Sequence, residues 1–410
     1  MEFQGGHGVR LLSGGDELFA AVEQALQAAR TEVWMATYIF NDDEASRRVA
    51  DALVATAARG VQVRLLVDGF GSVSRLPTLR RWFQGSSVQL EVFRPLDRWW
   101  AWLQPGQLRR MHQKLFAVDG ALACVGGINV IDDRFDLHHG WSQRPRLDFA
   151  VELRGAVAAE VQRIAQALWT RASLGRGWRE EVALLARSAE PVARTVQLLR
   201  GLRTGRRDGG PQRWDRSLPP VRAALVVRDN FRQRRAIERS YIEAIGSARE
   251  RIDIACPYFY PGRAFRRALR RAAARGVQVR LLMQGKIDYR IAALAARVLY
   301  DELLAHRIRV FEYTPAFLHA KVAVVDREWA TVGSSNIDPL SLLLNLEANV
   351  VLLDEDFTAT LAQRLDAAFQ ESAEITSPAL RPGLRGWASR GFIAWIANAY
   401  LRLAGITGRY

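Results

Sequence analysis

Long apolar runs are missing from this chain of 410 residues. A membrane-spanning helix needs about 20 consecutive apolar residues. No stretch reaches that length, so no spanning segment is expected. No basic-then-apolar leader opens the sequence, which argues against a secretory signal. Cysteine is scarce: Cys124 and Cys256 are the two in the chain, both in apolar, strand-like runs. Two such thiols exclude a disulfide framework and a Cys/His metal site, and are expected to be buried and free. That suits the cytoplasmic side of a cell. No metal or cofactor is expected. Histidine is scarce too, and two of the six in the chain stand in a repeated pattern.

Positive charge is in excess. The formal net charge is +15, carried mostly by arginine. It points to anionic partners: a membrane surface, nucleic acid or a phosphorylated substrate. Charge alone does not choose among them. The stretch Arg200–Pro220 holds Arg200, Arg203, Arg206, Arg207, Arg213 and Arg216 among glycines and prolines. It reads either as a solvated linker or as a basic loop against an anionic surface. Near the C-terminus, Phe392, Trp395, Ile396, Ala399 and Leu403 recur at helical spacing, with Arg385, Arg390 and Arg402 beside or among them. This is either an interfacial amphipathic helix or a helix packed on its own domain.

The chain is duplicated. Ala57–Gly69 recurs as Ala273–Gly285 with eleven of thirteen positions identical. Ala28–Tyr38 parallels Ser247–Pro257, and Leu147–Leu153 parallels Leu346–Leu352. A repeat of this length means two homologous domains rather than a solenoid. Each half alternates strand and helix signals, which predicts an α/β layer structure. In the first half, helices are expected at 18–29, 45–59 and 156–171, and strands at 33–40, 61–67, 115–118, 121–126 and 148–153, with a turn at Asp119-Gly120. The expected division is 1–199, a linker at 200–220, 221–380, and a membrane-interface segment at 381–410.

Within the duplication lies the chemistry. His112-x-Lys114-x4-Asp119 is followed by Gly126-Gly127-Ile128-Asn129, and His319-x-Lys321-x4-Asp326 by Gly333-Ser334-Ser335-Asn336. In a strand, residues i and i+2 share a face, so each histidine lies beside a lysine. Lysine supplies point charge to phosphate oxygens, and Asn129 and Asn336 can donate amide hydrogens to the same anion. Two histidines facing one phosphorus can divide the work. One attacks as a nucleophile, and the other protonates the leaving alkoxide and then deprotonates the incoming alcohol or water. Four cationic or amide groups stabilise the charge without a metal. Each imidazole needs a partner on its other nitrogen, and Asp148 and Glu347 occupy equivalent places for that. Asp119 and Asp326 complete the catalytic motif. They fall near strand ends, so their role is expected to be structural and electrostatic rather than direct attack.

These twin motifs, with Asn345-x-Glu347 after the second, resemble the phospholipase D superfamily over nearly the whole chain. Asn41-Asp42-Asp43, Asp68–Ser72, Arg110-Met111-His112, Gly126–Asn129, Gln284–Tyr289 and Val332–Ser341 are similar to bacterial cardiolipin synthases. The branch suggested lacks N-terminal spanning helices. The resemblance implies two domains, each a mixed β-sheet flanked by helices, packed with pseudo-two-fold symmetry around one active site. It implies phosphatidyl transfer from a donor such as phosphatidylglycerol to a second alcohol, through a phosphatidyl-histidine on His112 with His319 as acid and base. It also implies a peripheral place on the cytoplasmic face of the bacterial inner membrane, with anionic phospholipid as partner and substrate. Gly127 stands where the superfamily more often has serine, which removes one expected phosphate contact in the first copy; Ser334 keeps it in the second. The alternatives are a lipid hydrolase with the same residues and a superfamily nuclease. Nucleic acid is not expected, because Trp99, Trp100, Trp102, Trp387 and Trp395 suit a lipid interface better than a base-stacking groove.

Overall fold

A computed structural model gives the structure. It describes residues 1–96, 109–137, 139–186, 219–229, 233–286, 299–338, 341–342 and 345–376. The expected linker (except Pro219 and Pro220), the C-terminal segment, and Trp99, Trp100, Trp102, Trp387 and Trp395 lie outside the described residues.

The first repeat builds a seven-stranded sheet. Its strands are β1 (Gly8–Ser13), β2 (Glu32–Thr37), β3 (Gln62–Asp68), β4 (Gln89–Phe93), β5 (Leu115–Val118), β6 (Leu122–Gly126) and, after a small hairpin of β7 (Phe135–Asp136) and β8 (Gly140–Trp141), β9 (Phe149–Arg154). The second repeat uses β10 (Arg222–Arg228), β11 (Arg251–Ala255), β12 (Gln278–Gln284), β13 (Arg309–Tyr313), β14 (Val322–Val325), β15 (Trp329–Gly333), β16 (Glu347–Leu353) and β17 (Ala373–Ile375). The sheet orders are β1-β9-β6-β5-β2-β3-β4 and β10-β16-β15-β14-β11-β12-β13-β17. They correspond strand for strand, with β17 added at one edge. In each, β2-β3-β4 or β11-β12-β13 run parallel and the remaining pairs are antiparallel, so both sheets are mixed.

Strand alternation explains the layers. In β5, Leu115 and Ala117 enter a core shared by both repeats, whereas Phe116 and Val118 face the outer core of the first repeat. In β14, Val322 and Val324 enter the same shared core, and Ala323 and Val325 face the outer core of the second. Outside the first sheet lie α1 (Gly14–Ala28), α2 (Glu44–Ala58) and α3 (Leu76–Phe83). The long α4 (Ala156–Ala186) adds Val157, Val161 and Leu168 to the shared core. In the second repeat α5 (Ala236–Ser247), α6 (Arg263–Ala274) and α7 (Tyr300–Ala305) lie outside, and α8 (Glu355–Gln370) adds Phe357, Leu361 and Leu365 to the shared core. Helices with one apolar stripe have to bury it against a sheet. Among the described residues, no helix is long and apolar enough to cross a membrane.

Element boundaries moved by more than one residue in three places. α1 begins at Gly14, because the Glu17 carboxylate accepts from the Ser13 N–H and starts the helix earlier than its apolar periodicity. β2 stops at Thr37, and Phe40 instead bridges Val130. α4 runs on to Ala186, well past Arg171. Cys124 and Cys256 are buried and free, as expected.

Asp119 turns the β5–β6 hairpin with φ 52°, next to Gly120 at φ 65°. Two successive positive φ angles fit the twist of a tight hairpin. The Asp119 carboxylate accepts from the N–H groups of Arg30, Thr31 and Glu32 at 2.8–2.9 Å and from the Thr31 hydroxyl at 2.6 Å. Asp326, at φ 53°, accepts from the N–H groups of Arg249, Glu250 and Arg251. Each aspartate therefore fastens the entry of a parallel strand, a strand's length (roughly 13 Å) from the motif lysine. Their place in the catalytic motif is one of sequence and not of space. Asp119→Ala is expected to cost about 1–3 kcal/mol of stability through its unpaired backbone donors, read as a lower urea midpoint, with kcat/KM little changed. Lost turnover at unchanged stability would return Asp119 to the chemistry.

Candidate active site

Two short main-chain bridges assemble the site. Leu346 N–H donates to Arg110 O at 2.8 Å, and His112 N–H to Leu346 O at 3.0 Å. In the other repeat, Leu147 N–H donates to Phe317 O and His319 N–H to Leu147 O, both at 2.9 Å. Each bridge joins the residue before one repeat's histidine to the residue before the other repeat's acid, in parallel register. The acids therefore cross over.

His112 Nδ1 lies 3.1 Å from both Glu347 oxygens and 3.1 Å from the Ser334 carbonyl. All three are acceptors, so Nδ1 carries the proton and Nε2 presents its lone pair. His319 Nδ1 lies 2.6 Å from Asp148 Oδ2. Asp148 and Glu347 are thus the partners expected, each serving the histidine of the other repeat. The His112 and His319 side chains remain 13% and 24% exposed, against 0% and 1% for their acids. The imidazoles are the part of each pair that an incoming molecule can reach.

The lysines lie beside them. Lys114 Nζ donates to the His112 carbonyl at 2.8 Å and stands 5.4 Å from the centre of the Tyr38 ring. Lys321 Nζ donates to the His319 carbonyl. Burial pushes Lys114 down to about 7, even though Glu347 works the other way. Burial also lowers Lys321. Burial lowers both histidines, His319 further, with Lys321 adding to the effect. Four basic groups brought together in this way favour an anion among them, since a nearby negative charge restores their charged forms.

The two acids differ. Burial raises Asp148 to about 7 against the pull of Lys321. Burial would also raise Glu347, but His112, Lys114 and the Ser334 hydroxyl outweigh it and hold it below its ordinary value. Ser334 Oγ donates to Glu347 Oε2 at 2.6 Å and accepts from Ala348 N–H at 3.1 Å, fully buried. Its hydroxyl is committed to the acid, which corrects the expectation that it holds phosphate. At the equivalent Gly127, any Cβ would collide with the Asp148 carboxylate. Ser334 with Glu347 and Gly127 with Asp148 are two ways of filling the same space. Asn129 is buried, and its Oδ1 accepts from Ile39 N–H at 3.2 Å, which leaves its amide hydrogens uncommitted there. The Asn336 Oδ1 has no hydrogen-bond partner among the described residues. Asp119 and Asp326 are not brought to the site.

Sequence reasoning missed Tyr38, whose ring meets His112 edge-on at 4.9 Å. Its position just past a parallel strand was the available signal, since sites gather at such strand ends. It also missed Asp68 and Gln284. Asp68 Oδ2 accepts from Met111 N–H at 2.9 Å, and Gln284 Oε1 from Leu318 N–H at 2.9 Å. Each braces the residue before a histidine, and they are one of the two differences within the repeated thirteen residues. Among the described residues, no group of His, Cys, Asp and Glu side chains is arranged to hold a metal ion.

A mixed α/β fold in two copies, with crossed His–acid pairs and buried lysines, defines a phospholipase D-like protein. The family described as cardiolipin synthase, PLD-like domain, matches residues 22–169 and 241–372. Cardiolipin synthase B of Escherichia coli K12 is 33% identical over 384 residues, covering 93% of this chain and 85% of that protein. Cardiolipin synthase A of Pseudomonas fluorescens is 32% identical over 372 residues, covering 90% and 69%. Phosphatidylserine synthase of Haemophilus influenzae shares the fold, with TM-score 0.68 at 11% identity over 97% of this chain and 95% of that one. The chain belongs to the cardiolipin synthase family and is an enzyme of the phosphatidyltransferase class.

The lowered lysines give a pH dependence. Lys114 is cationic below about 7 and neutral above it. Tungstate, a phosphate mimic, is therefore expected to bind more weakly as pH rises from 6 to 8.5, with proton uptake in calorimetry. One charge-assisted bond is worth about 1.5–3 kcal/mol, so the loss should be roughly tenfold or more. Constant affinity across that range would mean the lysines do not meet the anion.

Proposed function

We propose that this enzyme transfers a phosphatidyl group from phosphatidylglycerol to a second alcohol, and makes cardiolipin when that alcohol is another phosphatidylglycerol. The crossed pairing of His112 with Glu347 and His319 with Asp148 carries the reading. His112 Nε2 attacks phosphorus and forms the P–N bond. The bond from phosphorus to the glycerol oxygen breaks, and that oxygen takes a proton from His319 Nε2. In the second step His319 removes the proton from the acceptor hydroxyl, whose oxygen attacks phosphorus. The P–N pair of electrons returns to His112, and both histidines end as they began. Lys114, Lys321 and the amides of Asn129 and Asn336 hold the phosphate oxygens.

The unlike acids support this division of labour. A Glu347 held ionised keeps the proton on His112 Nδ1 and leaves Nε2 nucleophilic. A raised Asp148 lets the second pair keep its proton near neutral pH, the form a general acid needs. His319→Ala is expected to stall at the first step and accumulate a phosphatidyl adduct on His112, visible by mass spectrometry of the intact protein. His112→Ala should form none, and both should lose turnover by at least about a thousandfold. An adduct on His319 in the His112 variant would reverse the roles, and near-normal product from either would remove the two-histidine mechanism.

We further propose that the enzyme works as a peripheral protein on anionic phospholipid, at the cytoplasmic face of the bacterial inner membrane. Among the described residues, the exposed large apolar side chains are Phe70, Val73, Leu137 and Trp141. Phe70 and Val73 follow the strand end at Asp68, which braces the residue before His112. Leu137 and Trp141 lie in the β7–β8 hairpin, whose His139 ring meets Phe317 at a tilt, with centres 5.1 Å apart. Exposed apolar side chains beside the segments that carry both histidines suit insertion among headgroups. Replacing Leu137 and Trp141 together by alanine is expected to weaken binding to phosphatidylglycerol vesicles by about tenfold. Unchanged sedimentation with vesicles would dissociate this rim from the bilayer.

A further inference from the structure

Next to each histidine's segment a cation lies over an aromatic ring, and the two partners have changed places between the repeats. In the first repeat the cation is on the motif segment: Arg110 lies over the Phe70 ring at 5.4 Å. In the second the cation is on the loop: Lys286 Nζ lies 5.6 Å from the centre of the Phe317 ring. Phe70 and Lys286 are equivalent positions, as are Arg110 and Phe317.

The exchange leaves a difference in charge. Arg110 is buried, donates to the Arg94 carbonyl at 3.0 Å, and faces Asp68 at 3.9 Å. In the second repeat Gln284 replaces Asp68 and keeps its backbone bond without its charge. Lys286 is half-buried, and among the described residues its hydrogen bond is a long one to Pro315 O at 3.4 Å. The ring beneath it is fixed on another side by His139, whose Nδ1 lies 3.0 Å from Asp136 Oδ1. Phe317 and His319 both pair with Leu147 in an extended segment, so their side chains share a face. Phe317, with the cation over its ring, thus stands about two residues' rise, roughly 7 Å, along the segment from His319.

Residue usage points the same way. The chain has three lysines, and the other two are Lys114 and Lys321. Elsewhere it uses arginine for its cations. Lysine is a compact point charge that holds phosphate without fixing a bidentate geometry, which suits a lipid that has to enter and leave.

We propose that Lys286, laid over Phe317 beside His319, is the binding site for the phosphate of the acceptor phospholipid. The inference rests on the transfer reading above. With His112 attacking from one side, the incoming hydroxyl arrives on the His319 side. In an acceptor phosphatidylglycerol, that hydroxyl is joined to its own phosphodiester through three carbons. Anchoring the phosphate on Lys286 brings the hydroxyl to His319 and favours a lipid over water or a neutral alcohol as acceptor.

The test is a competition for one phosphatidyl-enzyme. The full-length enzyme is given phosphatidylglycerol vesicles with added ethanol, and cardiolipin, phosphatidylethanol and phosphatidic acid are quantified together. In Lys286→Ala the ratio of cardiolipin to phosphatidylethanol is expected to fall by about tenfold, the loss of one charge-assisted contact, and Lys286→Arg to recover most of it. An unchanged ratio in Lys286→Ala, whatever the total rate, overturns the proposal, because a merely structural defect lowers both products together. Wild-type enzyme that yields phosphatidic acid and no cardiolipin overturns the transfer reading itself.

Discussion

The parallel bridges Met111–Leu346 and Leu147–Leu318 are the constraint on which the rest of the site depends. They set the register between repeats to within a residue. A slip of one position would swing each histidine to the opposite face and away from its acid. Because each repeat supplies one partner of each pair, the shared core of β5, β6, β9, β14, β15 and β16 is part of the candidate site as much as of the fold. Packing there gathers two buried carboxylates, two buried lysines and two partly exposed imidazoles in one place. Their mutual charge shifts follow from that.

On this near-symmetric frame, function is written in small departures from symmetry. Glu347 with Ser334 stands against Asp148 with Gly127, each pair filling its space differently and leaving one acid ionised more readily than the other. Tyr38 edges against His112, where the second repeat has Pro257. Asp68 faces Arg110 with a charge, where the equivalent Gln284 carries none. A perfectly symmetric site would have no preferred nucleophile and no preferred side for a second substrate.

Much of this was legible in the chain before folding. Short apolar runs in β2, β5 and β9 marked the strands, the thirteen-residue repeat marked the duplication, and paired His-x-Lys strings marked the site. Asp148 and Glu347 could be named as partners because they fell at matching places. Which acid served which histidine could not be read, because crossing is a property of how two sheets dock and not of either strand. Ser334 was misread for a related reason. A serine after a glycine looks available for phosphate until the fold turns its hydroxyl toward Glu347. Asp119 and Asp326 share a motif with the histidines, yet the strand that carries the motif also carries them away.

The crossed pairing also governs when the enzyme comes into being. During synthesis His112 emerges long before Glu347, and until that residue arrives its imidazole has no acid and Lys114 lacks its nearest carboxylate. Contacts spanning 235 residues carry a large loop-closure entropy and slow folding relative to local ones. A chain released early, or one whose second half fails to dock, therefore carries half of each pair and no working one. Both His–acid pairs are completed by the docking of the two repeats and not by either repeat alone.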